Sequence, residues 1–217
     1  MRAELSVLDV AVEGLERIGG KVQEQGEEER KPFTSEGPVI DILLRNSGNG
    51  NAAITKATFE LNRAIDLLDC TFPGGGSIFY VDYDVQIPLN SRPGDAIPRT
   101  LRFFLEPDSD GRIRFSIGTE GEPDLRFLYE FTVTLSPAGD GPELVIPKVV
   151  VLGPAYVHEV IDSATGTKQA HLNNPEEPFY PCYKKMLSDL ARMEGEAKYM
   201  SPDVTDFRTK LEAAVTS

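Results

Sequence analysis

The segment Glu106-Pro107-Asp108-Ser109-Asp110-Gly111 places oxygen donors where a calcium loop needs them. Such a loop has carboxylates at its first, third and fifth positions and a glycine at the sharp turn of the sixth. Its twelfth position should be a bidentate glutamate, and here it is Ile117. The segment also lies between two strand-like runs, without flanking helices. It reads as a β-turn in which Asp108 and Asp110 are what remains of a cation site.

His158, His171 and Cys182 form a second set, because two imidazoles and a thiolate suit zinc. Their spacing follows no standard ligand pattern, and no short ligand pair nucleates a site. Asp162 and Ser163 beside His158 supply the residue types of a hydrolase. A triad needs geometry, however, and this order gives no nucleophile elbow. Asp162 to Gly166 reads as a turn. Asp82 and Asp84 fall on one face of a strand and would divide acid and base work if their environments split their pKa values. Charges guarding a sheet edge explain them more simply. Pro73-Gly74-Gly75-Gly76-Ser77 lacks the lysine of a phosphate loop, and no dinucleotide fingerprint occurs. The sequence therefore assigns no catalytic residue and no cofactor. Asp108, Asp110, His158, His171 and Cys182 are its candidate metal ligands.

The elements that must position these groups fall into three regions. Residues 1–37 read as a first strand (Leu5, Val7, Leu8, Val10, Val12) followed by a flexible polar link. That link, Gly14 to Gly37, is rich in glycine and glutamate and offers little to bury against its ordering entropy. Residues 38–154 alternate apolar and polar positions in run after run, the pattern of half-buried strands. The clearest run is Phe79 to Ile87. Turn clusters at Asn46–Asn51, Arg92–Asp95 and Pro107–Gly111 separate the runs. Residues 155–217 read as an irregular segment and two short helices docked on the strands. Met186, Leu187, Leu190 and Met193 mark the first helix, and Phe207 and Leu211 the second. The fold class expected is an antiparallel, mainly β sandwich of seven to eight strands with a small helical appendage.

Val39-Ile40-Asp41-Ile42-Leu43-Leu44-Arg45-Asn46-Ser47-Gly48-Asn49 resembles the early strand and turn of bacterial immunoglobulin-like domains of the cell-adhesion-related kind. Arg92-Pro93-Gly94-Asp95 and the Leu101–Leu105 run are similar to their mid-domain turn and strand. The likeness covers residues 38–152. It implies a spacer or binding module and supplies no catalytic residues.

The chain has 217 residues, 40% of them hydrophobic, and a formal net charge of -13 spread along its length. A negative field repels nucleic-acid phosphates and anionic membranes. Arg99, Arg102, Arg112 and Arg114 would pair with acidic neighbours. No stretch approaches the roughly 18 apolar residues of a membrane span. Met1 to Val12 does not read as a secretory signal. The expectation is a soluble cytoplasmic protein with two free thiols, Cys70 and Cys182, that binds neither nucleic acid nor membrane.

Tyr80, Phe104 and Leu128 interrupt the polar faces of their runs. Paired, they would make a second apolar patch, either covered by the C-terminal helices or open to a protein. The function expected is a non-catalytic protein-interaction or accessory module that takes a protein partner or self-associates. The alternatives are a hydrolase or metal enzyme built on His158, His171 and Cys182, and a structural oligomer.

Overall fold

The computed structural model describes residues 2–24, 27–70, 77–123, 125–139, 141–153 and 156–216. Its strands are β1 (Leu5–Glu24), β2 (Lys31–Asn46), β3 (Ala52–Asp66), β4 (Ser77–Val81), β5 (Val85–Ile87), β6 (Ala96–Leu105), β7 (Ser109–Thr119), β8 (Phe127–Pro137), β9 (Leu144–Val151) and β10 (Tyr199–Met200). The helices are α1 (Val157–Asn173), α2 (Tyr180–Glu196) and α3 (Asp203–Thr216). Sheet A runs β4-β1-β2-β7-β5 and sheet B runs β10-β9-β8-β3-β6.

This corrects the expected fold class. In place of a seven-to-eight-strand antiparallel immunoglobulin-like sandwich with a small appendage, the described residues form two five-stranded sheets and three helices. Nor is the pairing wholly antiparallel, because β5 runs parallel to β7 and β10 parallel to β9. The third helix, α1, occupies the segment expected to be irregular. It buries Val160 and Ala164, four residues apart on one face. Asp162 to Gly166, expected as a turn, lies inside it.

The inner faces of the two sheets share one core. Ile40, Ile42, Leu44, Phe115 and Ile117 of sheet A meet Ile54, Phe59, Phe131, Val133 and Leu135 of sheet B. Phe59 sits at the centre, edge-on to Phe115 across the interface (ring centroids 5.1 Å) and to Phe131 beside it (6.0 Å). That perpendicular geometry suits the ring quadrupole.

Most of the glycine- and glutamate-rich segment expected as a link is strand instead, from Gly14 to Glu24 in β1 and from Lys31 to Gly37 in β2. β1 and β2 pair without a break in direction from Leu5↔Asn46 to Val22↔Lys31, with bulges at Val7/Asp9 and Glu13/Leu15. β4 adds a third strand, Gly20↔Val81 to Glu24↔Ser77. Gly20 is needed there, because a Cβ would stand 2.7 Å from the Tyr80 carbonyl oxygen. The polar composition is no obstacle, since a ladder satisfies main-chain groups whatever the side chains.

The Phe79–Ile87 run also splits. β4 and β5 lie on opposite edges of sheet A, and Asp82-Tyr83-Asp84 carries the chain between them. Asp84 anchors this crossing by accepting bonds from the Ser116 backbone N–H (2.9 Å) and hydroxyl (2.8 Å). Tyr83 is buried, and its hydroxyl shares a 2.7 Å hydrogen bond with Ser35. Its ring lies so close to Gly118 that a Cβ there would be 2.1 Å away.

The three helices cover part of the outer face of sheet B. Tyr183, Met186, Leu190 and Met193 of α2 and Val204, Phe207, Leu211 and Val215 of α3 pack into a second core with Leu128 and Val150. Within that core Cys70, just beyond β3, is joined to Cys182 in the first turn of α2. The two free thiols expected from the sequence are thus one disulfide, with Cα atoms 5.7 Å apart and a sequence separation of 112. Among the described residues no helix is long and apolar enough to cross a membrane.

A link of that span restricts the unfolded chain strongly. Replacing both cysteines with serine should lower unfolding stability in urea by about 4 kcal/mol. Reduction of the parent protein should give a similar loss, and an unchanged midpoint would show that the helices hold without it.

Candidate functional site

The candidate ligands do not converge. Asp108 and Asp110 lie in the turn before and at the start of β7, and both accept from one guanidinium: Arg45 reaches Asp108 at 2.5 Å and Asp110 at 2.8 Å. An arginine therefore stands where a cation would. Those carboxylates raise the Arg45 pKa, chiefly through the hydrogen bond to Asp110. His158 and His171 lie at opposite ends of α1. At 1.5 Å rise per residue they are about 20 Å apart. His171 stacks on Tyr180 with ring centroids 4.1 Å apart. Cys182 is spent in the disulfide. The Ser163 hydroxyl accepts from the Tyr183 hydroxyl at 2.7 Å, so its neighbour is a phenol and not a base. Among the described residues no cluster of three or more His, Cys, Asp or Glu could hold a metal. The Pro73–Gly76 stretch lies outside the described residues.

A charged node that the sequence reading missed lies on the outer face of sheet B. The β3–β8 register sets Arg63 opposite Glu130. The Glu130 carboxylate is buried, and the Arg63 Nη1 stands 3.6 Å from it. Arg63 Nη2 donates to Glu196 at the end of α2 (2.7 Å), and Lys148 of β9 approaches the same carboxylate at 3.5 Å. The node pins α2 to the sheet. Its hydrogen bond from Arg63 is the main cause that holds the Glu196 carboxyl below the usual glutamate range.

Two predictions follow from this node. Arg63→Ala leaves Glu130 buried without its partner and should cost about 3 kcal/mol in urea unfolding, with part recovered in Arg63→Ala/Glu130→Leu. The Glu196 carboxyl has its pKa lowered by folding, so its contribution is present above the unfolded value and is lost as pH falls through the folded one. Acidification should therefore reduce the thermal midpoint of the parent more steeply than that of Glu196→Gln.

The three interaction residues part company. Leu128 is fully buried beneath the helices. Tyr80, on the β4 edge of sheet A, carries the Arg30 guanidinium 3.8 Å over its ring and donates to Gln23. Phe104, on the β6 edge of sheet B, is 72% exposed. The helices leave the β6 end of that face bare. There Thr58 stands between Pro98 and Thr134, Lys56 between Thr100 and Ser136, and Val145, 58% exposed, beside Thr134. Lys56 and Arg102 on this face make no ion pair or side-chain hydrogen bond among the described residues. Arg112 and Arg114 of sheet A, by contrast, are held by Asp41 and Glu13.

Two concavities are lined by described residues. A shallow groove of about 740 Å³ lies between α1 and α3, lined by Ile161, Leu172, Ala213 and Ala214 with Lys168 and Lys210. A cavity of about 100 Å³ beside the disulfide is lined by Asp66, Asp69, Asp189 and Lys185. Neither contains a histidine or a free thiol. The chain matches no protein-family model, no curated protein sequence and no solved structure.

Proposed function

We propose that the chain is a non-catalytic protein-interaction module whose contact surface is the bare half of the outer face of sheet B. The observation that carries this reading is Phe104, 72% exposed on an edge strand beside a flat face that the helices do not reach. A large apolar side chain in such a place costs solvation and returns nothing to the fold. Buried against a partner, it becomes an anchor of the kind that dominates binding energy. The metal-enzyme alternative loses its ligands, because the histidines are a helix length apart and the cysteine is oxidised. The disulfide favours an oxidising compartment over the cytoplasm.

The test is a photo-activatable cross-linker at position 104 of the full chain, exposed to an extract of the source organism. A discrete adduct is expected at position 104 and not with the same group at Asp9, which is exposed on β1 of sheet A. Equal labelling at both positions, or none at 104, refutes the reading. An adduct with a second copy of the chain reassigns the face to self-association.

A further inference from the structure

We infer that the partner of this face is an acidic segment, alternating carboxylates with apolar residues, that adds to β6 as an extra strand. The inference rests on the reading of sheet B as a protein-binding face and names what binds there. Three independent features of β6 point to the same occupant.

The first is conformation. β6 is a ten-residue terminal strand that pairs, among the described residues, only with β3, so its other edge offers main-chain donors and acceptors to an extended segment. Pro98 has no N–H to offer, which confines the added strand to the stretch from Arg99 to Leu105.

The second is the alternation of side chains along that stretch. Leu101 and Phe103 point to the shared core but remain half-buried at its open side. Thr100, Arg102 and Phe104 point the other way and are exposed. An added strand thus meets an apolar row on one side and a polar, cationic row on the other. Successive residues of a strand face opposite sides, so the matching sequence alternates as well.

The third is charge. Acidic residues outnumber basic ones 35 to 22 in this chain, yet Lys56 and Arg102, on neighbouring strands, have no ion-pair partner among the described residues. Carboxylates on the outward side of an added strand would lie over both. Edge charges often serve to repel other strands, but the exposed Phe104 two residues from Arg102 undoes such protection. A nucleic acid would find the same two cations, but as a long polyanion it would meet far more of the repulsion of the net charge of -13 than a short segment carrying a few carboxylates.

The experiment uses the full chain, isotope-labelled for amide chemical-shift mapping. It is titrated with a short synthetic peptide alternating Glu and Val, with a Lys/Val counterpart, and with the Glu/Val peptide N-methylated on alternate amides. The Glu/Val peptide should shift the Arg99–Leu105 amides, and added salt should weaken it. The K56E/R102E variant, altered only at exposed positions and checked for an unchanged melting temperature, should bind about tenfold more weakly. Equal binding of the Lys/Val peptide overturns the acidic assignment. Equal binding of the N-methylated peptide overturns strand addition. No shifts along β6 with the Glu/Val peptide overturn the inference as a whole. Cross-linking at position 104 decides separately whether the face binds protein at all, so the two failures are distinguishable.

Discussion

The burial of Phe59 between Phe115 and Phe131 is the contact on which the rest depends. It locks β3 of one sheet against β7 of the other, and both sheets take their inward rows from that registration. Once β3 is fixed, its opposite face is fixed as well, because successive side chains alternate. The irregularity between Leu61 and Arg63 then shifts the alternation by one residue and turns Arg63 to the helix side, where Glu130 and Glu196 meet it. Lys56 is set by the same strand on the stretch the helices leave open. One strand thus carries core, clamp and part of the proposed contact surface.

Sheet B is treated differently along its width. Toward β9 and β10 it has apolar packing on both sides and behaves as the middle layer of three. Toward β6 it has the shared core on one side and water on the other. The disulfide and the Arg63 node both sit at the covered part, where the helices must be held. Both serve attachment of the helices to the sheet.

The alternation of Ile40, Ile42 and Leu44 or of Phe131, Val133 and Leu135 was legible because buried rows have a period of two. The helical stripe of Phe207 and Leu211 was legible for the same reason at a different period. What misled was composition. Gly14 to Gly37 looks too polar to order, yet its β1 and β2 parts are ordered by pairing with each other and with β4, which a local reading does not see. The break after Val81 was equally hidden, since Tyr83 keeps the alternation while its ring turns beneath Gly118. Cys70 and Cys182 carry no spacing signal, and only the docking of α2 on sheet B brings them together. The candidate chemistry failed for a related reason. His158 and His171 look like a pair on paper, but a continuous helix holds them apart. Phe104, singled out as a residue out of place on its strand, is exposed, while Leu128, chosen by the same rule, is covered.

The sulfur bridge also makes a covalent ring of more than half the polypeptide, from the end of β3 through β4 to β9 and α1 to the start of α2. A single peptide bond cut anywhere inside that ring does not divide the molecule. The nicked protein would travel as one species until a reductant separated its pieces, so intactness on a non-reducing gel and continuity of the backbone are different properties of this chain.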